Sequence, residues 1–312
     1  MALRVLFFGT PGFAVPSLDA IMRSAHQVVS VVTQPDRPRG RGHKVHPEAV
    51  KLAALGHGLP VRQPERMKDP DLLAALAADH ADVAVVAAYG RLLPQALLDV
   101  PRLGCVNVHA SLLPRWRGAA PVHRAILAGD AVTGVTIMRV VLALDAGPMI
   151  ARASTPIEPN ETSVELEARL AAMGADLLTR VLDDLERGVA KELTQNEADA
   201  TYAAKLERAD GIVDWALPAA AVHNQVRGLH PWPLAAATLG GRRVLLLRSV
   251  VEHSRAESAE PGTIVDARAD GLVIATNPGA VRLLEILPEG RRPMTTREFL
   301  KGTRVAIGDR FQ

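Results

Sequence analysis

The sequence predicts an α/β domain built on a parallel sheet, followed by a smaller domain rich in β-strands. Two observations support this prediction. From Leu3 to about Met138, short β-branched runs alternate with amphipathic segments, which is the order of β-α-β units around a parallel sheet. Beyond Pro231-Trp232-Pro233, short alternating segments stand between Gly and Pro turns, which is typical of a small β-barrel.

The predicted elements follow one another along the chain in a regular order. The strands of the first domain are expected at 4–8, 28–33, 82–87, 105–109 and 135–139, and those of the second at 243–251, 263–266, 272–276 and 280–286. Helices are expected at 47–55, after Asp69, and over Ser163–Arg187. A polar stretch then predicts a linker, so the expected domains are 1–190 and 207–312 with a linker over 191–206.

The composition is that of a compact globular protein. Of the 312 residues, 48% are hydrophobic and 22% are charged, which excludes a disordered or fibrous chain. No apolar run approaches the roughly 18–20 residues that span a bilayer, so we expect no membrane partner. The single cysteine, Cys105, favours a reducing, cytoplasmic setting, and the net charge of +2 does not by itself indicate a nucleic-acid partner.

The segment from Gly104 to Gly118 carries the most chemical information. In a strand, side chains two residues apart share a face, so Asn107 and His109 point the same way. They stand at the carboxyl end of a strand, where open parallel sheets bind their ligands. An Asn amide and a His ring can stabilise an oxyanion or move a proton, which suits acyl transfer. An Asn and a His at a strand end also commonly satisfy turn hydrogen bonds, and that alternative stays open here.

Asp145 is the third candidate catalytic residue. It follows the apolar run from Val140 to Leu144 and precedes Gly147 by two residues, so a buried carboxylate in need of a partner is expected. If that partner is His109, the carboxylate fixes the ring tautomer and favours the imidazolium form.

Other common site motifs are absent from the sequence. There is no Gly-x-Ser-x-Gly elbow, no Walker lysine motif and no Cys/His spacing typical of a metal site. Gly9-Thr10-Pro11-Gly12 follows a strand but lacks the third glycine of a dinucleotide-binding turn. These absences leave the Asn107 segment as the best candidate.

A loop rich in Gly and Pro follows the second predicted strand and carries four cations. These are Arg37, Arg39, Arg41 and Lys44. Charge runs are usually solvated surface, but this loop leaves the edge of the sheet where the candidate site lies, so contact with a phosphate backbone is an equal alternative.

The chain resembles the folate-dependent formyltransferase family, in the branch that acts on methionyl-tRNA. The resemblance covers nearly the whole chain and is carried by Phe8–Pro16, Gln34–Pro38, Ala87–Gly90, Asn107–Gly118, Thr201–Leu206 and Val226–Pro233. It implies a Rossmann-like formyltransferase domain and a C-terminal OB-type β-barrel that binds tRNA.

The resemblance also implies a reaction and its participants. The donor is 10-formyltetrahydrofolate, the acceptor is the α-amine of initiator methionyl-tRNA, and no metal takes part. Asn107, His109 and Asp145 are the implied catalytic residues, and the cationic loop, Arg41 above all, is the implied tRNA contact. The implied folate-binding residues are Ala88, Tyr89, Gly90, Ser111, Leu112, Leu113 and Pro114.

The chain departs from the family pattern at two places. Leu142 and Ala143 stand where the family usually has an acidic residue and a glycine, and Leu234 stands where it usually has a glycine. Because Gly reaches conformations that Ala avoids, Ala143 is expected to restrict the backbone before Asp145.

Two other functions remain as alternatives. One is a formyltransferase with a small acceptor, which would not need the second domain. The other is a tRNA-binding module whose transferase site has decayed, with Leu142 and Ala143 as its trace.

Overall fold

The computed structural model describes residues 2–39, 44–252, 259–268 and 271–312, which form two compact units. The first comprises Met1–Pro121, Thr133–Thr155 and Glu167–Ala203, and the second comprises Val122–Val132, Pro156–Leu166 and Ala204–Gln312. The units interleave along the chain, and most of the expected linker lies within the first. The expected limits at 190 and 207 stay a prediction. None of the described helices is long and apolar enough to cross a membrane.

The first unit is built around a seven-stranded sheet. In chain order, the elements up to Ala203 are β1 (Arg4–Gly9), α1 (Val15–Arg23), β2 (Gln27–Val32), β3 (Pro38–Arg39), β4 (Lys44–Val45), α2 (Ala49–Gly56), β5 (Val61–Arg62), α3 (Pro70–Ala78), β6 (Val83–Ala87), α4 (Gln95–Leu98), β7 (Cys105–His109), β8 (Arg117–Gly118), α5 (Pro121–Leu127), β9 (Val132–Arg139), β10 (Met149–Pro156), α6 (Ser163–Arg187) and β11 (Tyr202–Ala203). Most of α5 and the first turn of α6 belong to the second unit. The strand order is β10-β9-β7-β6-β1-β2-β5. The short pairs β8 with β11 and β3 with β4 lie outside this sheet.

Five neighbouring strands of this sheet run parallel, as predicted. Strand β1 pairs in parallel with β2 and β6, β2 with β5, and β6 with β7. The central strand is buried on both faces, since Val5, Leu6, Phe7 and Phe8 are each 0% exposed. A strand covered by helices on both faces needs such an unbroken apolar run.

The fifth predicted strand differs from expectation, because β9 runs antiparallel to β7. His109 pairs with Thr136 and Val106 pairs with Arg139. Between these strands the chain forms a loop, the short β8 and the seven-residue α5 rather than one helix as long as the sheet. A parallel return needs such a crossover, so the chain enters β9 from the edge at which it left β7.

Two helices have the ends that the sequence predicts. The Asp69 carboxylate caps α3 by accepting a hydrogen bond from the amide of Asp71 at 3.0 Å. Helix α6 begins at Ser163 and ends at Arg187, before Gly188 in the left-handed region. A side-chain cap at one end and a glycine at the other are the usual helix boundaries.

The second unit is built around an antiparallel sheet. Its elements are α7 (Ala219–Gly228), β12 (Ala235–Leu239), β13 (Arg242–Glu252), β14 (Ile264–Arg268), β15 (Gly271–Ala275), β16 (Ala280–Pro288), β17 (Met294–Thr295) and α8 (Thr296–Gly302). The strand order is β12-β13-β16-β15-β14, with β17 paired to β16. The C-terminal residues reach both edges: Gln312 and Thr238 exchange backbone hydrogen bonds, and the Phe311 amide donates to Gly262. A C-terminal β domain is therefore present, as expected.

Leu234 lies where the departure from the family pattern predicts an altered turn. Its φ of 69° is in the left-handed region, which glycine enters without strain and a side chain does not. Its amide still donates to the Leu229 carbonyl at 3.0 Å, so the turn after α7 is kept. The departure therefore strains one residue and leaves the domain in place.

Gly134 offers a test of the close packing between β9 and β10. A Cβ at this position would lie 2.0 Å from the Ala153 carbonyl oxygen and 2.7 Å from Cδ2 of Leu112. We expect Gly134→Ala to lower the free energy of unfolding by about 1–3 kcal/mol, because the backbone must move. Denaturant unfolding measures this change. Gly56→Ala is the control, since a Cβ at the last residue of α2 meets nothing within 4 Å; equal stabilities of the two variants would contradict the packing argument.

Candidate active site

Strand β7 carries three chemically distinct side chains on one face. Cys105, Asn107 and His109 alternate with Val106 and Val108, so they share a face of the sheet. His109 is 5% exposed, and Asn107 is half-buried. The predicted spacing of Asn107 and His109 is therefore present at the carboxyl end of a parallel strand.

The two ring nitrogens of His109 face different partners. Nε2 lies 2.9 Å from the Trp116 carbonyl oxygen, and Nδ1 lies 3.7 Å from Oδ2 of Asp145. A carbonyl can only accept, so Nε2 carries a proton and donates it to Trp116. Nδ1 is the nitrogen left for chemistry. The structure thus brings His109 and Asp145 together, within ion-pair distance but beyond a hydrogen bond.

Asp145 lies in the turn between β9 and β10, with its backbone in the left-handed region. Its φ is 47°, and its Oδ2 accepts a hydrogen bond from the Gly118 amide at 2.8 Å. Ala143 is not in the left-handed region, so the expected restriction at Ala143 is wrong. Asp145 itself adopts the conformation that favours glycine.

The implied folate-binding loop after β7 is held by its own hydrogen bonds. Ser111 Oγ donates to the Arg115 carbonyl at 2.6 Å, and the Ser111 carbonyl accepts from Thr136 Oγ1 at 2.7 Å. Ser111 and Leu113 are 0% exposed, while Leu112 and Pro114 are half-buried. The accessible groups of this loop are therefore Leu112, Pro114 and parts of the backbone.

The other implied folate-binding segment follows β6. Tyr89 is 1% exposed, its ring packs edge-on against Phe8 at 5.5 Å, and burial raises the pKa of its hydroxyl. The Tyr89 carbonyl accepts from Gln34 Nε2 at 2.7 Å. Ala88 and Gly90 are exposed, with positive φ values of 45° and 79°. Tyr89 is thus a core side chain, and the exposed surface here belongs to its two neighbours.

The implied tRNA contacts are only partly within the described chain. Arg37 is exposed and lies 3.8 Å from the Glu65 carboxylate. The backbones of Arg39 and Lys44 are paired in register between the antiparallel strands β3 and β4, and Arg41 lies outside the described residues. Among the described residues, no group of three or more His, Cys, Asp or Glu side chains is arranged to hold a metal ion.

A cavity of about 280 Å³ opens on the same unit, and the sequence did not predict it. Its lining consists of Gln95, Leu98, Asp99, Leu103, Gly104, Cys105, Arg139, Val140, Val141 and Leu142. Cys105 begins β7 and Leu142 precedes Asp145 by three residues, so the cavity shares two segments with the candidate catalytic residues. Burial raises the pKa of the Cys105 thiol to about 12, so this thiol serves as a lining group rather than a nucleophile.

Two buried polar residues beside Asp145 were also missed. Arg117 is 1% exposed and Gln195 is 4% exposed. Both types are usually at the surface. Arg117 belongs to the segment from Gly104 to Gly118, which the sequence already marks as chemically informative. Gln195 stands in the polar stretch that predicts a linker.

Both halves of the chain match models of known protein families. A family model described as "Formyl transferase" matches residues 2–182, and one described as "Formyl transferase, C-terminal domain" matches residues 205–304. The methionyl-tRNA formyltransferase of Paracoccus denitrificans is 49% identical over 309 residues, which cover 99% of this chain and 100% of the relative. That of Methylobacillus flagellatus is 47% identical over 313 residues, 99% of each chain.

Solved structures share the fold at low identity. HypX from Aquifex aeolicus, in complex with tetrahydrofolic acid, is 20% identical with a TM-score of 0.66, and the match covers 99% of this chain and 51% of that longer one. The N-formyltransferase from Helicobacter canadensis is 16% identical with a TM-score of 0.67, over 91% of this chain and 99% of that one. The full-length relatives and the two family models agree: this chain is a member of the formyltransferase family, in the group of the methionyl-tRNA formyltransferases.

Proposed function

We propose that this chain transfers the formyl group of 10-formyltetrahydrofolate to the α-amine of initiator methionyl-tRNA, for translation initiation in the cytoplasm. The observation that carries the proposal is the His109–Asp145 pair at the end of β7, 3.7 Å apart and beside Asn107. The relatives that cover the chain end to end bear the corresponding name.

The catalytic roles follow from the geometry of the pair. As the neutral amine forms its bond to the formyl carbon, His109 Nδ1 accepts the amine proton, and the adjacent Asp145 carboxylate stabilises the resulting imidazolium. The Asn107 amide and the protonated Nδ1 donate to the formyl oxygen while it carries negative charge. The bond from the formyl carbon to the folate nitrogen then breaks, and the proton passes to that nitrogen.

The cavity at the other end of β7 is a suitable seat for the folate head group. Its volume of about 280 Å³ suits the flat bicyclic ring rather than the whole molecule, and its lining combines apolar side chains with the polar side chains of Gln95, Asp99 and Arg139. Asn107 stands between Cys105 and His109 on the same face of β7. A head group in the cavity therefore places the atoms that follow it alongside Asn107, with Ala88–Gly90 and Ser111–Pro114 as further folate-binding segments.

The second unit is the proposed tRNA-binding domain, an OB-type barrel. Five strands on the main path of its sheet and a C-terminal tail bonded to both edges support this assignment. Arg242 and Arg243 are exposed at one end of β13, and Arg291 and Arg292 are exposed just beyond β16. The Glu289 amide donates to the Arg243 carbonyl at 2.9 Å, so the two arginine pairs flank the same end of the sheet. Four clustered cations suit a phosphate backbone.

We expect His109→Ala to lower kcat for formylation of charged initiator tRNA by about 10²–10⁴-fold, because the ring acts in the transition state. The Kd for tRNA should change by less than about threefold. Steady-state kinetics with 10-formyltetrahydrofolate and a filter-binding assay measure the two quantities. His57→Ala is the control, since the His57 ring pairs with Asp19 at 2.8 Å just beyond the end of α2. Equal losses in kcat and tRNA binding would argue against a catalytic role.

A substitution at Cys105 tests whether the cavity binds the folate head group. Cys105→Leu adds bulk to the cavity and should weaken binding of 5-formyltetrahydrofolate, a stable analogue of the donor, by about tenfold. Cys105→Ala removes bulk and should change the Kd by less than about threefold. Isothermal titration measures both, and thermal unfolding checks that each variant is folded. A folded Cys105→Leu variant with wild-type affinity would move the head group elsewhere.

A third prediction concerns the cationic loop. Arg37→Ala should raise the KM for tRNA severalfold and reduce the slope of log Kd against log salt by about one, because one phosphate contact is lost. The pair with Glu65 is long and exposed, so its loss has little effect on stability. Arg180→Ala, at an exposed position of α6, is the control. An unchanged salt slope would make Arg37 ordinary surface.

A further inference from the structure

We infer that Gln195 is a positioning residue for the proposed formyl transfer: its amide holds both sides of the turn that presents Asp145 to His109. The inference rests on the proposed function for its kinetic test and on the structure alone for its physical test. Gln195 belongs to the segment that the sequence predicts to be a linker, and the structure assigns it to the first compact unit.

The contacts of Gln195 bracket the turn. Its Nε2 donates to the Asp145 carbonyl at 2.8 Å and to the Gly147 carbonyl at 2.8 Å. An amide NH₂ has two protons, so both are used within the turn. With Gln195 only 4% exposed, water cannot readily replace these bonds, and losing them would leave two carbonyls without their partner.

The turn needs such support because Asp145 is strained. Asp145 has a φ of 47°, in the left-handed region, and a non-glycine residue there carries strain that surrounding contacts must offset. The Gly118 amide fixes the carboxylate of Asp145, and Gln195 fixes its carbonyl. Backbone and side chain of Asp145 are thus held by separate donors.

The turn also packs closely against β9. A Cβ on Gly147 would lie 1.9 Å from the Arg139 carbonyl oxygen at the end of β9, so the backbones touch there. The Arg139 amide donates to the Pro148 carbonyl at 2.8 Å. The turn therefore has no room to move toward β9, and Gln195 restrains it through two carbonyls.

Gln195 is itself held in one orientation by Arg117. Arg117 Nε donates to Gln195 Oε1 at 3.0 Å, and its two terminal nitrogens donate to Glu197 at 2.9 and 2.7 Å. Because a guanidinium can only donate, the amide oxygen of Gln195 must face Arg117 and its NH₂ must face the turn. Arg117 lowers the pKa of the Glu197 carboxyl, but Glu197 is largely exposed, so this pair serves orientation more than stability.

The short strands β8 and β11 hold these residues around Asp145. Strand β8 supplies both the Arg117 side chain and the Gly118 amide, and it pairs with β11 at Tyr202–Ala203. Residues 195–203 therefore fold back along 117–118, around Asp145. A segment of this kind positions the catalytic carboxylate without contacting any substrate.

The kinetic test compares two variants of Gln195. Gln195→Glu is isosteric and keeps an acceptor for Arg117 but loses both donors to the turn, while Gln195→Ala loses all three bonds. We expect both to lower kcat at least tenfold, with KM values for tRNA and folate within about threefold of wild type, because a misplaced catalytic group costs rate rather than substrate affinity. Asn196→Ala is the control: it removes an exposed amide from the adjacent position and should keep wild-type kcat.

Hydrogen exchange provides the physical test. The Gly118 amide is bonded to the Asp145 carboxylate, so its exchange rate reports the position of that carboxylate. We expect faster exchange at Gly118 and over residues 143–148 in both Gln195 variants, and unchanged exchange in Asn196→Ala. If wild type showed no formyl transfer, the proposed function would fail while this measurement still decided the role of Gln195.

Two results would overturn the inference. The first is unchanged kcat and unchanged Gly118 exchange in folded Gln195 variants. The second is a loss of kcat accompanied by equal loss of tRNA and folate affinity and a large fall in melting temperature in both variants, since this indicates only a structural role.

Discussion

The left-handed turn at Asp145 is the constraint on which the candidate site depends. It brings a carboxylate from the connection between β9 and β10 to within 3.7 Å of a ring on β7. The strain at Asp145 is offset by hydrogen bonds to its carboxylate and its carbonyl and by the close approach of Gly147 to β9. Strain of this kind persists only where several contacts hold it, and that is the pattern found here.

The antiparallel pairing of β9 with β7 makes this turn possible. Since Thr136 lies beside His109, its hydroxyl can bond the loop that follows β7, and the chain then runs back past Cys105 before it turns at Asp145. A parallel β9 would begin at the opposite edge of the sheet and place its exit elsewhere. One reversal of strand direction thus forms both the cavity and the catalytic pair.

Local sequence signals predicted the elements but not the contacts between distant ones. The parallel strands, both ends of α6 and the meeting of His109 with Asp145 follow from apolar runs, helix caps and the family resemblance. The direction of β9 and the burial of Gln195 do not, because each depends on partners far away in the chain. Asp145 and Gln195 are 50 residues apart, and a lone Gln in a polar stretch carries no sign of its role. The burial of the Tyr89 ring against Phe8 was not predicted either, so any contact of Tyr89 with folate is expected to come from its backbone.

The departure from the family pattern at Leu142 and Ala143 changes the cavity through Leu142 and leaves the turn at Asp145 in place. Ala143 adopts a conformation open to any residue, so the chain has no need of glycine there. Leu142 is 61% exposed and lines the cavity, so its side chain changes the chemistry of the rim where the family usually has a carboxylate. Neither side chain bonds Asp145, whose hydrogen-bond donors are Gly118 and Gln195. Since the site retains its carboxylate, its ring and the contacts that orient them, the substitutions give no physical ground for a decayed transferase.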